Sequence, residues 1–191
     1  MEKNEPATDR RVKRTRRLLQ GALAELMTQK KFREITVQDI TDRADVNRST
    51  FYLHYQDTYD LLLQIEDGLI SGLEAKIAEC RRTARPYNLH ALVECVYDFL
   101  EDNMQFCRPL FLSNSNTPFW QKFMEVLAEK GIELPEEMKT DRPNVRWYQM
   151  TFIVHGVIGV LREWISADNV LPKDDMVDTM ERLVNAAIQA V

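Results

Sequence analysis

Eight side chains between Thr36 and His54 have the types and spacing to read nucleic acid rather than to break a bond. Gln38, Asn47, Arg48 and Ser49 suit base edges in a major groove, where Arg bonds bidentately to guanine and Gln or Asn to adenine. Thr36, Thr50, Tyr52 and His54 offer hydroxyls and an imidazole to phosphate oxygens, contacts that fix register on a duplex. Each has a plainer reading. Asn47 also fits a simple helix cap, Arg48 a solvated surface charge and Tyr52 half-buried packing, while Leu53 either covers a thymine methyl or stands exposed. Elsewhere there is no Gly-rich phosphate loop, no nucleophile elbow and no His–carboxylate spacing for a metal. No catalytic residue, metal or cofactor is therefore expected.

The elements that must hold these groups are two short helices around a tight turn. Thr36 is a good N-cap with Asp39 three residues on, as in a capping box, and Val37, Ile40 and Ala44 form one apolar stripe. Ala44-Asp45-Val46 breaks that pattern. Asn47 then starts a helix of about two turns, with Val46, Phe51 and Tyr55 as its inward residues. Arg48, Ser49, Thr50, Tyr52 and His54 are left facing out, on a helix too short to be stable alone. A recognition helix has this composition. Ahead of the pair, Leu18, Leu19, Ala22, Leu23, Leu26 and Met27 predict a helix from about 9 to 29, followed by Phe32 and Ile35 as an apolar hinge.

This stretch resembles the TetR family of bacterial regulators. The resemblance rests on Thr36, Val37, Ile40, Ala44, Val46, Ser49, Thr50, Phe51, Tyr52, His54 and Tyr55, and on the continuation Asp57–Leu62, which is similar to the family's entry into a long fourth helix. Two positions depart from it. Asp45 stands where the turn usually has Gly, tolerable because Asp enters the left-handed region more readily than most residues. Thr58 replaces a Lys common just before the fourth helix, which removes one phosphate contact.

Charge agrees with a one-ended polyanion binder. The net charge is −5, yet residues 1–55 hold 12 Lys and Arg against 8 Asp and Glu, and the remainder 13 against 22. Six of the eight residues from Arg10 to Arg17 are basic, and this run leads into the first helix, where an arm reaches backbone phosphate. A disordered, solvated tail is the alternative for that run. Hydrophobic content of 45% and charged content of 29% are ordinary for a globular domain. The start of the chain lacks the pattern of a signal peptide, and Phe152–Leu161, the most apolar stretch, is too short to span a bilayer. Cys80, Cys95 and Cys107 are an odd number without a close pair, which favours reduced thiols in a cytoplasmic protein.

Beyond Tyr55 helical spacing continues. It predicts helices from Asp57 to about Arg82, Asn88 to Asn103, Met104 to Leu112 with Pro109 kinking or ending it, Thr117-Pro118 to about Lys130, Asn144 to Ser166 and Lys173 to Ala190. Breaks fall at Arg85-Pro86-Tyr87 and along 131–143. The expected architecture is all-α with about nine helices: a three-helix head with its arm over 1–56, and a larger helical domain over 57–191. Arg108–Leu112 and Asn116–Trp120 are similar to one C-terminal subgroup of the family.

The resemblance implies that the larger domain makes a homodimer and holds an effector pocket. Trp147–Trp164 is apolar around much of its circumference, and Gly156 and Gly159 would permit close helix approach, so Gly156, Gly159, Val160 and Trp164 are the expected interface residues. A monomeric core helix is the alternative. Met104, Phe106, Trp120, Phe123, Tyr148, Met150, Phe152 and His155 are candidates for a pocket, or for ordinary core. The expected function is a dimeric one-component regulator on a near-palindromic operator in double-stranded DNA, a repressor released by a small apolar or aromatic molecule. Alternatives are a coactivator or protein-binding adaptor on the same fold, which Asp45 and Thr58 admit, and an all-α enzyme.

Overall fold

Leu19, Ala22 and Leu23 are buried at helical spacing, and they place one face of the first helix, α1 (Ala7–Gln29), in a core. The computed structural model describes residues 7–83, 88–112, 119–131, 143–166 and 171–189, and among these it has nine α-helices and no strand. After α1 come a single 3₁₀ turn (Phe32–Glu34), α2 (Val37–Ala44), α3 (Arg48–Tyr52), α4 (Thr58–Thr83), α5 (Leu89–Asp102), α6 (Met104–Leu112), α7 (Phe119–Val126), α8 (Pro143–Ser166) and α9 (Lys173–Gln189). Most boundaries lie within a residue or two of those predicted from the sequence.

Pro109 does not end α6. It removes one amide donor, yet Cys107, Leu110 and Phe111 are buried on either side of it and hold the segment helical. A π-helical turn, Leu127–Gly131, follows α7 and was not foreseen. The Arg85-Pro86-Tyr87 break, the Thr117-Pro118 cap and most of the 131–143 loop lie outside the described residues.

The chain divides into two compact units, Met1–Gly68 with Gln105–Ser115, and Leu69–Met104 with Asn116–Val191. The division thus falls inside α4 rather than at the end of the predicted head. In the first unit α1 packs on α2 and α2 on α3, around Leu23, Ile40, Phe51 and Leu61. In the second, α5 packs on α9, α9 on α8, and α8 on α7 and the π turn. Asn88 caps α5 by accepting a hydrogen bond from the Ala91 amide at 3.2 Å. Gln149 is buried on α8 and donates to the carbonyls of Ala187 and Ile188, both at 3.0 Å, so it satisfies the end of α9 from a neighbouring helix.

Candidate nucleic-acid interface

Four residues of local chemistry fix the geometry of the α2–turn–α3 unit. Thr36 and Asp39 form the reciprocal capping box: the Asp39 amide donates to the Thr36 hydroxyl at 3.1 Å, and the Thr36 amide donates to Asp39 Oδ2 at 2.7 Å. The Thr36 hydroxyl also donates to Asp39 Oδ2. Asp45 ends α2 with φ 51° and ψ 49°, the left-handed conformation that Gly would occupy more cheaply. It lets the Asp45 amide reach the Asp42 carbonyl and the Val46 amide the Thr41 carbonyl, closing the last turn. Asn47 then starts α3 by accepting from both the amide and the hydroxyl of Ser49 at 2.9 Å.

Packing decides what α3 shows. Phe51 and Tyr55 are buried with ring centroids 5.7 Å apart. Tyr52 turns outward, its ring edge-on to Phe51, and is half exposed. Arg48, Ser49 and Leu53 are exposed, and Thr50 and His54 partly so. The Arg48 guanidinium lies 5.8 Å from the Tyr52 ring centroid with Nη2 3.4 Å from the phenol oxygen. Tyr52 therefore holds the side chain expected to read a base.

The same geometry narrows three of the expected roles. Asn47 spends its carbonyl oxygen on capping, which leaves only its amide N–H groups for a base. Gln38 donates to Asp42 at 2.5 Å, a bond it must share or give up to read adenine. Thr36 uses its hydroxyl in the capping box, so the α2 amides are better placed than its side chain to meet a phosphate.

Spacing along the sequence placed Arg16 in the basic run but did not reveal that it bears on His54. Its charge on α1 bears on His54 and, together with burial, which is the larger effect, pushes the His54 pKa below its usual value. In the chain alone His54 therefore favours its uncharged imidazole form. Arg10, Arg11, Lys13, Arg14, Arg16 and Arg17 are all exposed on α1, which makes the basic run one end of a helix rather than a loose tail.

Asp39 carries a testable electrostatic signature. The Lys30 ammonium, 2.8 Å from Oδ2, and the Thr36 amide and hydroxyl hold its pKa down at about 2. A carboxylate with a depressed folded pKa contributes stability that is complete above its unfolded value and lost as pH falls through the folded one. An Asp39→Asn variant should therefore melt below the wild type at pH 5–7. The gap should close between pH 3.8 and about 2 when melting is followed by circular dichroism.

In the second unit a hollow forms among residues other than those expected for a pocket, and Phe106 belongs to the first unit. This small apolar hollow, partly open to solvent, lies among α5, α8, α9 and the π turn. Leu92, Val96, Tyr97, Leu161, Met176 and Met180 are among its walls. None of the eight residues expected for a pocket lines it. Phe123 is buried, packed 6.0 Å from Phe119 and 6.3 Å from Trp120. Met104, Phe106, Trp120 and Met150 are partly buried, and Tyr148, Phe152 and His155 stand exposed on α8. Apolar spacing does not distinguish a cavity wall from an uncovered face. Gly156 and Gly159 are exposed, with nothing within 4 Å of where a Cβ would stand, and Val160 is half-buried beside them. Trp164 belongs instead to the core of its own chain, its ring tilted against that of Tyr97 with centroids 4.5 Å apart. Eight residues beyond Gly156 it has rotated about 80° around the helix, off the exposed face.

Comparison with known proteins agrees with this geometry. Residues 19–65 match the family model described as bacterial regulatory proteins, tetR family. Residues 87–186, more than half the chain, match that of a transcriptional regulator C-terminal region of the same family. The chain belongs to the TetR family. It is a DNA-binding transcriptional regulator and not an enzyme. The transcriptional activator FasR of Mycolicibacterium smegmatis is 23% identical over 164 residues, 82% of this chain and 75% of that one. Two solved structures share the fold. The fatty acid degradation regulator FadR from Bacillus halodurans has a TM-score of 0.72 at 17% identity, covering 93% of this chain and 96% of that one. A TetR regulator from Streptococcus agalactiae has a TM-score of 0.63 at 23% identity, covering 93% and 97%. Among the described residues no helix is long and apolar enough to cross a membrane.

Proposed function

We propose that this TetR-family regulator works in the cytoplasm as a homodimer on a near-palindromic operator, and that an apolar ligand in the larger unit releases it. The observation that carries the reading is the uncovered face of α8 and α9. Tyr148 and Phe152 on α8 are each more than half exposed and share a helix face with Gly156 and Gly159, and Trp147 on α8 and Leu183 on α9 are exposed to a similar degree. Large apolar side chains gathered on one face mark an association surface, and two glycines let a partner helix approach closely. A permanent dimer built there would bury on the order of 2,000 Å² or more. Two-fold symmetry then repeats α3 about one helical turn along DNA, so the operator repeats as well.

The apolar hollow supports a ligand with an uncharged hydrocarbon or aromatic body, because its walls offer neither a hydrogen bond nor a counter-charge. Release requires that the ligand bind the free form more tightly than the DNA-bound form. A coupling of about 1–3 kcal/mol loosens the operator roughly 5- to 150-fold. Titration of hydrophobic compounds, following melting temperature and operator affinity together, tests the reading. An inducer should raise the first and lower the second, and Val93→Trp, which puts an indole into the hollow that Val93 lines, should abolish both responses. A compound that binds without changing operator affinity is not the inducer, and failure of every apolar compound to bind removes the ligand from the proposal.

The direction of regulation has a second reading. FasR is named an activator, and a chain that lacks Lys at Thr58 suits weaker operator binding, assisted by a protein partner. Genome-wide selection that returns no symmetric motif would favour that adaptor role over the repressor.

A further inference from the structure

A constellation that no short sequence motif announces joins α5 to α9. His90 Nδ1 lies 2.8 Å from Glu181 Oε2 and 3.7 Å from Asp178 Oδ1. One ligand atom from each of the three residues lies within 4.8 Å of the others. Glu94, one turn along α5, adds its charge to the field at His90. The nearby Lys173 ammonium is engaged by Glu94 at 3.0 Å and Asp98 at 2.7 Å. The cluster therefore presents an imidazole nitrogen and two carboxylates, from two helices packed on each other, in a locally negative field.

We propose that His90, Asp178 and Glu181 bind a divalent transition-metal ion of the zinc type and clamp α9 to α5. Ligand atoms around tetrahedral zinc, at bonds of about 2.0–2.2 Å, stand about 3.4 Å apart. The Asp178–His90 separation is already near that value, and the His90–Glu181 contact must lengthen by roughly half an ångström to admit the ion. Asp178 and Glu181 are three residues apart on one face of α9, so both reach the same point without backbone movement. The side chains are partly exposed, which gives the ion an entry path and leaves positions for water. An imidazole with two carboxylates favours zinc, cobalt or nickel over magnesium and calcium, which prefer all-oxygen shells.

The test uses the full chain, free of any histidine tag and stripped with a chelator. Zn²⁺ is titrated in competition with a chromophoric chelator, and Co²⁺ by its visible absorption. One site per chain is expected, unaffected by a large excess of Mg²⁺, with a melting temperature that rises with Zn²⁺. Glu181→Gln, nearly isosteric and still able to bond His90, should weaken Zn²⁺ at least about tenfold and melt like the wild type in chelator. His90→Ala and Asp178→Asn should do the same to the metal, whereas Cys80→Ser should leave it unchanged. The proposal is overturned if the wild type binds no stoichiometric Zn²⁺, if Glu181→Gln binds it as the wild type does, or if bound Co²⁺ shows a thiolate charge-transfer band that Cys80→Ser removes.

Discussion

Phe152→Glu is expected to hold the proposed dimer apart as monomers and to weaken operator binding by roughly 10²- to 10⁴-fold, because two linked heads gain that much over one. Phe152 is 70% exposed on α8. Burying such a ring contributes about 1.5–3 kcal/mol per chain, felt twice in a symmetric interface, and a pair of introduced carboxylates adds repulsion. Gly156→Leu separates association from folding. A Cβ at Gly156 meets nothing within 4 Å in the chain, so the protomer should gain about 0.5–1 kcal/mol from losing a mid-helix glycine. The dimer, by contrast, should loosen because the partner can no longer approach. Sedimentation and melting on the same samples check both. A wild type that sediments as a monomer at micromolar concentration, or a Gly156→Leu dimer as tight as the wild type, would place the interface elsewhere.

Arg48→Ala is expected to cost about 1–3 kcal/mol of operator binding and to relax the preference at one base position. A residue that touched phosphate alone would instead weaken all sequences alike. Tyr52 was expected to be such a residue. The contact between its ring and the Arg48 guanidinium at 5.8 Å changes that expectation. Tyr52→Ala frees the guanidinium, so it should relax the same base position as Arg48→Ala, whereas Tyr52→Phe keeps the ring and should preserve specificity. The double variant should cost less than the two single losses together, with a coupling of roughly 0.5–3 kcal/mol. Affinity measured on the selected operator, and on copies altered one base at a time, distinguishes these outcomes. Independent, additive losses would mean that Tyr52 does not position Arg48.

Much of the helix-turn-helix was legible in the residues because its determinants are local. The Thr36–Asp39 capping box, the left-handed Asp45, the Asn47 cap and inward Phe51 and Tyr55 all act within a few positions of one another, and each adopts the expected conformation. Family membership was readable there for the same reason. What spacing could not supply was the second use of each side chain. It could not say that Gln38 is bonded to Asp42, that Arg48 lies against the Tyr52 ring, or that Arg16 bears on His54.

Sequence alone determined an all-α chain with a basic, DNA-reading head, since helical periodicity, caps and charge are properties of neighbours along the chain. Tertiary structure decided which apolar faces are covered. Trp164 and Phe152 lie on the same helix and are alike in kind, yet one packs against Tyr97 in the core and the other faces solvent. Only packing against α5 and α9 separates them. Tertiary structure also brought His90 to Asp178 and Glu181, and hollowed an apolar space among α5, α8 and α9 where no run of residues marked it. Burial and long-range juxtaposition arise from how separate helices meet, and a helix's own spacing specifies which residues share a face but not what that face will meet.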